Sequence, residues 1–210
     1  MLSRLPLAAA LILVAAPLHA MIYTFEPGHT QGVIRWNHLG FANPTAHFNL
    51  VEGMLDFDET AIGKASVAVT IPLSAMSTGV PDLDDDFRSA DFFDLTKFPA
   101  ATFKSTKVEK GESGRLKVTG NLNLHGITKP VVLDVTVNKV GTNPRNKLPT
   151  VGFEATAMLN RSDFELGRYV PQVSDQIDLH ITAEAAEAKG YADYLKAQAA
   201  KEAAKDAKKK

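Results

Sequence analysis

Hydrophobic and polar positions alternate along most of the chain, from Ile22 to Ala183, in the period-two pattern of strands that bury one face. Ile34, Trp36 and His38 alternate with Arg35 and Asn37, and Val67, Val69, Ile71 and Leu73 form a second series. Leu116, Val118, Gly120, Leu122 and Leu124 stand against Lys117, Thr119, Asn121 and Asn123, the cleanest strand in the chain. Val131, Leu133, Val135 and Val137 follow, then Phe153, Ala155, Ala157 and Leu159, and finally Ile177, Leu179, Ile181 and Ala183. Less regular strands are predicted over Ala46–Phe57 and Thr102–Val108. Turn signals at Gly111–Gly114 and Asn143-Pro144 separate neighbours. About eight strands with short hairpin links make an all-β antiparallel domain, a barrel or a sandwich; the pattern alone does not separate the two.

Two stretches leave this rhythm. Asp82–Leu95 reads as a short helix or ordered loop, with Phe87, Phe92 and Phe93 set among acids, and it suits a helix lying across one end of a barrel. From residue 185 the composition turns to Ala, Lys and Glu, with seven lysines against four acids. Tyr191, Tyr194 and Leu195 give this tail (185–210) only a weak apolar stripe, so a frayed, mostly solvated helix or disordered extension is expected.

The first 20 residues have another logic. Met1–Arg4 is a short positive segment, Leu5–Pro17 an apolar run, and Leu18-His19-Ala20 a small-residue cleavage site, the three parts of a secretory signal peptide over 1–20. The run is shorter than the ~20 apolar residues a bilayer-spanning helix needs. Export from the cytoplasm is therefore expected, with the folded domain over 21–184.

Composition narrows the chemistry. The chain has no cysteine, which removes disulfides, thiol catalysis and thiolate metal sites. Its net charge of −1 offers no overall attraction to nucleic acid. Eleven Phe against four Tyr and one Trp is a strongly apolar aromatic selection. Trp36, Phe48, Leu50, Phe57, Phe103 and Phe153 fall on inward phases, with Ile34 and His38. Taken singly each fits a packed core; as a set they also suit the wall of a tunnel, since a barrel of about eight strands either fills with side chains or keeps a cavity.

Motifs of catalysis and metal binding are lacking. There is no nucleophile elbow, phosphate loop or HExxH. His29, His38 and His47 have no recognised ligand spacing, and His125 and His180 fall on outward phases. Asp82, Asp84 and Asp86 begin like a calcium loop, but Phe87 and Phe93 stand where such a loop requires Gly and Glu. No catalytic residue, metal or cofactor is expected.

Several segments, taken together and in order, resemble the YceI-like family of exported polyisoprenoid-binding proteins. They include Tyr23-Thr24-Phe25-Glu26 with His29, Arg35–Gly40, Phe57-Asp58-Glu59 and Phe87–Asp94. Lys97–Phe103, Gly120-Asn121-Leu122, His125–Val131, Asn160–Phe164 and Ser174–Ile177 complete the set. The resemblance implies a lipocalin-like antiparallel β-barrel with a short helix near Asp84–Phe93. It also implies a long tunnel holding an isoprenoid or quinone lipid, and binding without chemistry. On that basis Phe92, Phe93 and Phe164 join the inward residues as tunnel candidates. Asp84, Arg88, Asn160 and Arg161 are the candidates for contact with a lipid head group. Many relatives carry Arg-Asp-x-His before the helix; here Leu83-Asp84-Asp85-Asp86 keeps only the first Asp, which points to a neutral quinone or amide head rather than a pyrophosphate. A Gly common before Phe48 is replaced around Ala46-His47. Further partners left open are a membrane cytochrome receiving quinone, as an accessory or stress-response role would require, and a second copy of the chain as a homodimer.

Overall fold

The computed structural model describes residues 21–49 and 51–207. The signal-peptide reading over 1–20, the inward placement of Leu50 and the last three lysines lie outside those residues.

Eleven strands follow in chain order: β1 (Met21–Phe25), β2 (Gln31–Arg35), β3 (Thr45–Phe48), β4 (Glu52–Phe57), β5 (Ser66–Pro72), β6 (Met76–Ser77), β7 (Ala100–Lys110), β8 (Leu116–Leu124), β9 (Ile127–Thr142), β10 (Pro149–Asn160) and β11 (Gln176–Glu187). All pairings are antiparallel. The order β1-β4-β5-β7-β8-β9-β10-β11 closes on itself through β1 and β11, an eight-stranded barrel. Closure leaves no free edge along that ring, which answers the tendency of open sheets to pair with other chains.

The other three strands continue members of the ring. β1 and β2 lie end to end along β11, Phe25 opposite Ala185 and Gln31 opposite Thr182. β3 continues β4 in the same way, and β6 continues β5. The expected single strand Ala46–Phe57 is thus two strands. Its neighbour breaks at the same level, where Pro27 opens a 3-10 turn (Pro27–His29) that a ladder cannot run through. The sheet bends there, and the β2–β3–β6 portion forms one lip of the barrel.

Alternation holds where it was cleanest. Leu116, Val118 and Leu122 of β8 are buried while Lys117 and Asn121 are exposed, and Val131 and Val135 of β9 and Val151 and Ala155 of β10 are buried across from them. Register shifts between Ser105 and Lys107 and between Gly152 and Phe153 add the local curvature a small barrel requires.

Helix α1 (Pro81–Arg88) is shorter than the Asp84–Phe93 segment in which a helix was expected. Pro81 starts it, where a missing N–H costs nothing, and Asp82 and Asp84 complement the positive end of its dipole. It stops at Arg88 because Ser89 turns extended, and the chain winds on through turns to Phe98. Helix α2 (Ala188–Ala207) follows β11 without a loop, three residues beyond the boundary expected at 184. It is one continuous helix in which Tyr191 alone is buried. α1 lies at the end where β8 finishes and β11 begins; α2 lies at the opposite end.

Candidate functional site

The barrel is hollow. A cavity of about 550 Å³ runs through it, a volume within the range of small-ligand pockets. Its middle is built from inward positions of the ring: Val118 and Leu122 from β8, Val131 and Val135 from β9, Phe153 and Ala155 from β10, Ile181 from β11. Alternation makes this wall apolar along β8 to β11, where every lining residue short of Asn160, at the end of β10, is aliphatic or aromatic.

Ten of the eleven tunnel candidates line the cavity: Ile34, Trp36, His38, Phe48, Phe57, Phe92, Phe93, Phe103, Phe153 and Phe164. Leu50, the eleventh, is outside the described residues. His38 is exposed and stands at the rim rather than in the core, its backbone bridging Ala42 and Val173. Phe57 and Phe153 meet edge to face with centroids 5.5 Å apart near the α2 end. At the α1 end Phe87 gathers Trp36, Phe92 and Phe93 at 5.5, 5.3 and 6.0 Å.

Exposed members of the wall, His38, Asp86, Asn160, Arg168 and Tyr169, collect at the α1 end and mark a mouth there; Ser66 is exposed toward the other end. Two of the four head-group candidates reach the wall, Asn160 and Arg161. Arg161 is already committed. It donates from Nε to Ser174 O at 2.9 Å, from Nη1 to Leu166 O at 2.5 Å and Arg168 O at 3.2 Å, and from Nη2 to Val173 O at 3.1 Å. Burial pushes its pKa down, and the nearby Asp175 charge opposes that fall. Its work is to hold the 161–175 loop in shape.

Asp84 and Arg88 do not join the cavity wall, contrary to their reading as head-group residues. Asp84 is buried and accepts from Thr78 N and Thr78 Oγ1, both at 2.6 Å, and from Ser77 Oγ at 3.0 Å. The Thr78 hydroxyl, with its backbone N–H, holds the Asp84 carboxyl below the usual carboxylate range. Arg88 donates to Met76 O at 3.1 Å. Both side chains tie α1 to the chain that enters it, an arrangement visible only once β6 and α1 are placed.

The sequence reading missed Arg168 and Tyr169. Arg168 pairs with Asp91 Oδ2 at 2.5 Å and lies 5.8 Å from the Phe92 ring and 5.1 Å from the Tyr169 ring. It thereby joins the 161–175 loop to the turn after α1 across the mouth, and the Asp91 hydrogen bond raises its pKa. No periodicity marks such a residue; an Arg-Tyr pair in a loop shortly before Pro171 is the only local hint.

The histidines sort differently from their phases. His125 sits at positive φ in the turn after β8, its Nδ1 3.1 Å from Phe164 O and its ring packed on Phe98, so it is not an outward strand residue. His180 does face outward, 3.5 Å from Glu154. Asp82, Asp84 and Asp86 do not form a calcium loop: on α1, residues two apart point to different sides of the helix.

Comparison with known proteins bears on this geometry. The family model described as the YceI-like domain matches residues 23–185. A UPF0312 protein of Vibrio cholerae serotype O1 is 33% identical over 178 residues, covering 84% of this chain and 93% of its own. Among solved structures, BcnA of Burkholderia cenocepacia is similar with a TM-score of 0.69 at 21% identity, covering 76% of this chain and 98% of BcnA. A polyisoprenoid binding domain from Saccharophagus degradans, implicated in plant cell wall breakdown, is similar with a TM-score of 0.63 at 14% identity, covering 80% of this chain and 99% of that one.

Proposed function

This chain belongs to the YceI-like family, and from that premise we propose that it is a periplasmic binding protein that carries an isoprenoid lipid inside its barrel rather than an enzyme. The observation that carries the reading is the cavity itself: an apolar wall along the barrel, with polar side chains gathered chiefly at the α1 end. A long hydrocarbon chain with one polar head has the same polarity pattern. The polyisoprenoid binding of the structurally similar Saccharophagus domain supports the choice of chain.

Head-group chemistry follows from charge already spent. The N–H donors of Arg161 are taken by backbone carbonyls and the charge of Arg168 by Asp91, so neither arginine of the wall is free to clasp a pyrophosphate. This favours a neutral head of quinone type. Energetically, each CH₂ withdrawn from water contributes ~0.8 kcal/mol. A bilayer solvates the same chain equally well, so exchange with membranes is set by shape fit, head-group contacts and the entropy of ordering the chain. Such a carrier holds its lipid firmly in water and exchanges it at membranes.

Mass spectrometry of an organic extract, from protein purified without detergent, tests this. One isoprenoid species near stoichiometric amount is expected. An extract empty of lipid, or holding only the host's bulk phospholipids, would overturn the reading.

A further inference from the structure

On the outer wall, away from the tunnel, the structure brings Glu184 of β11 beside Glu26 and His29, which are close in sequence. Glu26 precedes the 3-10 turn Pro27–His29, His29 ends that turn, and Glu184 points outward from β11 between the buried Ala183 and Ala185. One ligand atom from each lies within 4.8 Å of the others. His29 Nδ1 contacts Glu26 Oε2 and stands 3.9 Å from Glu184 Oε2. We propose that Glu26, His29 and Glu184 bind a divalent transition-metal ion of the zinc type.

The backbone beneath the three residues is held from several directions. Glu26 N donates to Glu184 O at 2.8 Å, and Thr30, itself 2% exposed, donates through Oγ1 to the same carbonyl at 3.1 Å. Asn143 Nδ2 donates to Glu184 Oε1 at 2.9 Å, which orients the carboxylate and leaves Oε2 toward His29. Outer partners of this kind fix a ligand's direction and strengthen a metal site. One imidazole nitrogen and two carboxylate oxygens suit zinc, with the fourth position open to water beside the exposed His29. Calcium and magnesium, which prefer a larger all-oxygen shell, fit poorly. The ion takes the place of the direct contact between His29 and Glu26, and joins the break between β1 and β2 to β11. Arg145 is near enough for its charge to act on His29, and it opposes a cation there.

Calorimetric titration of the full chain, free of any affinity tag, with Zn²⁺ tests the proposal, alongside melts in the same metal. One saturable site is expected, with Tm raised by about 5–10 °C at a hundredfold excess over Kd. His29→Ala and Glu184→Gln should each weaken binding at least about tenfold. His180→Ala should leave it unchanged, and Ca²⁺ should show no saturation. Arg145→Ala, which touches no ligand, should tighten binding and keeps the proposal testable where a ligand variant misfolds. Absence of a saturable site, or binding that survives both ligand variants unchanged, would overturn it.

Discussion

The ring of Phe103 occupies the space that a side chain on Gly120 would need: a β-carbon there would stand 2.3 Å from Phe103 Cζ and 2.7 Å from Lys104 O. Gly120 is on the inward face of β8, between Val118 and Leu122, and its missing side chain lets the aromatic ring lie against the strand. Phe103, which lines the tunnel, can draw back close to β8 at this level because Gly120 brings no side chain. Gly120→Ala is expected to destabilise by about 1–3 kcal/mol through overpacking. Phe103→Leu in the same chain should recover part of that loss but not all, since the Lys104 carbonyl stays. Urea unfolding of the two single variants and the double variant measures the coupling.

Ala155 faces the cavity from the middle of β10, between Val135 on β9 and Ile181 on β11. Ala155→Trp places a large ring in the bore while leaving the strand ladder alone. Lipid recovered by organic extraction should fall to a small fraction of the parent's while the far-ultraviolet spectrum stays that of a β-barrel. Retention of the full lipid complement in a folded variant would count against the cavity as its container.

Among the described residues four carboxyls are held below their ordinary range: Asp58 by Thr60, Asp84 by Thr78, Asp94 by Lys97 and Asp175 by Ser162. A depressed folded-state pKa means that the unfolded chain binds protons first as pH falls. The stabilisation is therefore present above the unfolded value of ~3.9 and is lost as pH drops through the lower folded values. Chemical denaturation should show stability little changed by these groups down to about pH 4, then a decline. Asp84→Asn should flatten part of that decline. Asp84→Ala, which strands the Thr78 N–H and two hydroxyls, should cost about 1–3 kcal/mol at neutral pH.

Arg161 reaches four carbonyls with one planar group. A lysine carries its donors on one nitrogen and cannot span them. Arg161→Lys should destabilise by about 2 kcal/mol, and amide exchange should quicken across 162–175 more than in β8 or β9.

At the other end of the barrel, Tyr191 is 8% exposed and α2 is otherwise solvated. Deleting residues 195–210 should change stability by no more than about 0.5 kcal/mol, whereas Tyr191→Ala should cost about 2 kcal/mol. Denaturation midpoints of the two separate these outcomes.

The strands of the far half of the barrel were legible because each buries one face against the interior and shows the other to water. β8 through β11 therefore carry the period of two in their residues. Ile34, Trp36, Phe103 and Phe153 could be placed inward for the same reason. Local pattern was weaker at the α1 end. The breaks at Pro27 and after Phe48 lie in neighbouring strands, and a break repeated across a sheet has no signature in one strand read alone.

What the sequence determined by itself is thus the antiparallel β class, the inward set along the regular strands and the lack of thiol chemistry, all properties of residue type and spacing. Only the tertiary structure decided that the barrel is hollow, because a filled and an open interior require the same alternation and differ in whether facing side chains meet. It also decided which polar residues reach that interior. Asp84 and Arg88 lie close in sequence to the wall yet turn their charges onto Ser77, Thr78 and Met76, while Arg168, from a loop with no periodicity, arrives at the mouth beside Asp91. The Arg168–Asp91 pair joins segments far apart in the chain, and even the short-range bonds of Asp84 and Arg88 form only once β6 and α1 are set side by side.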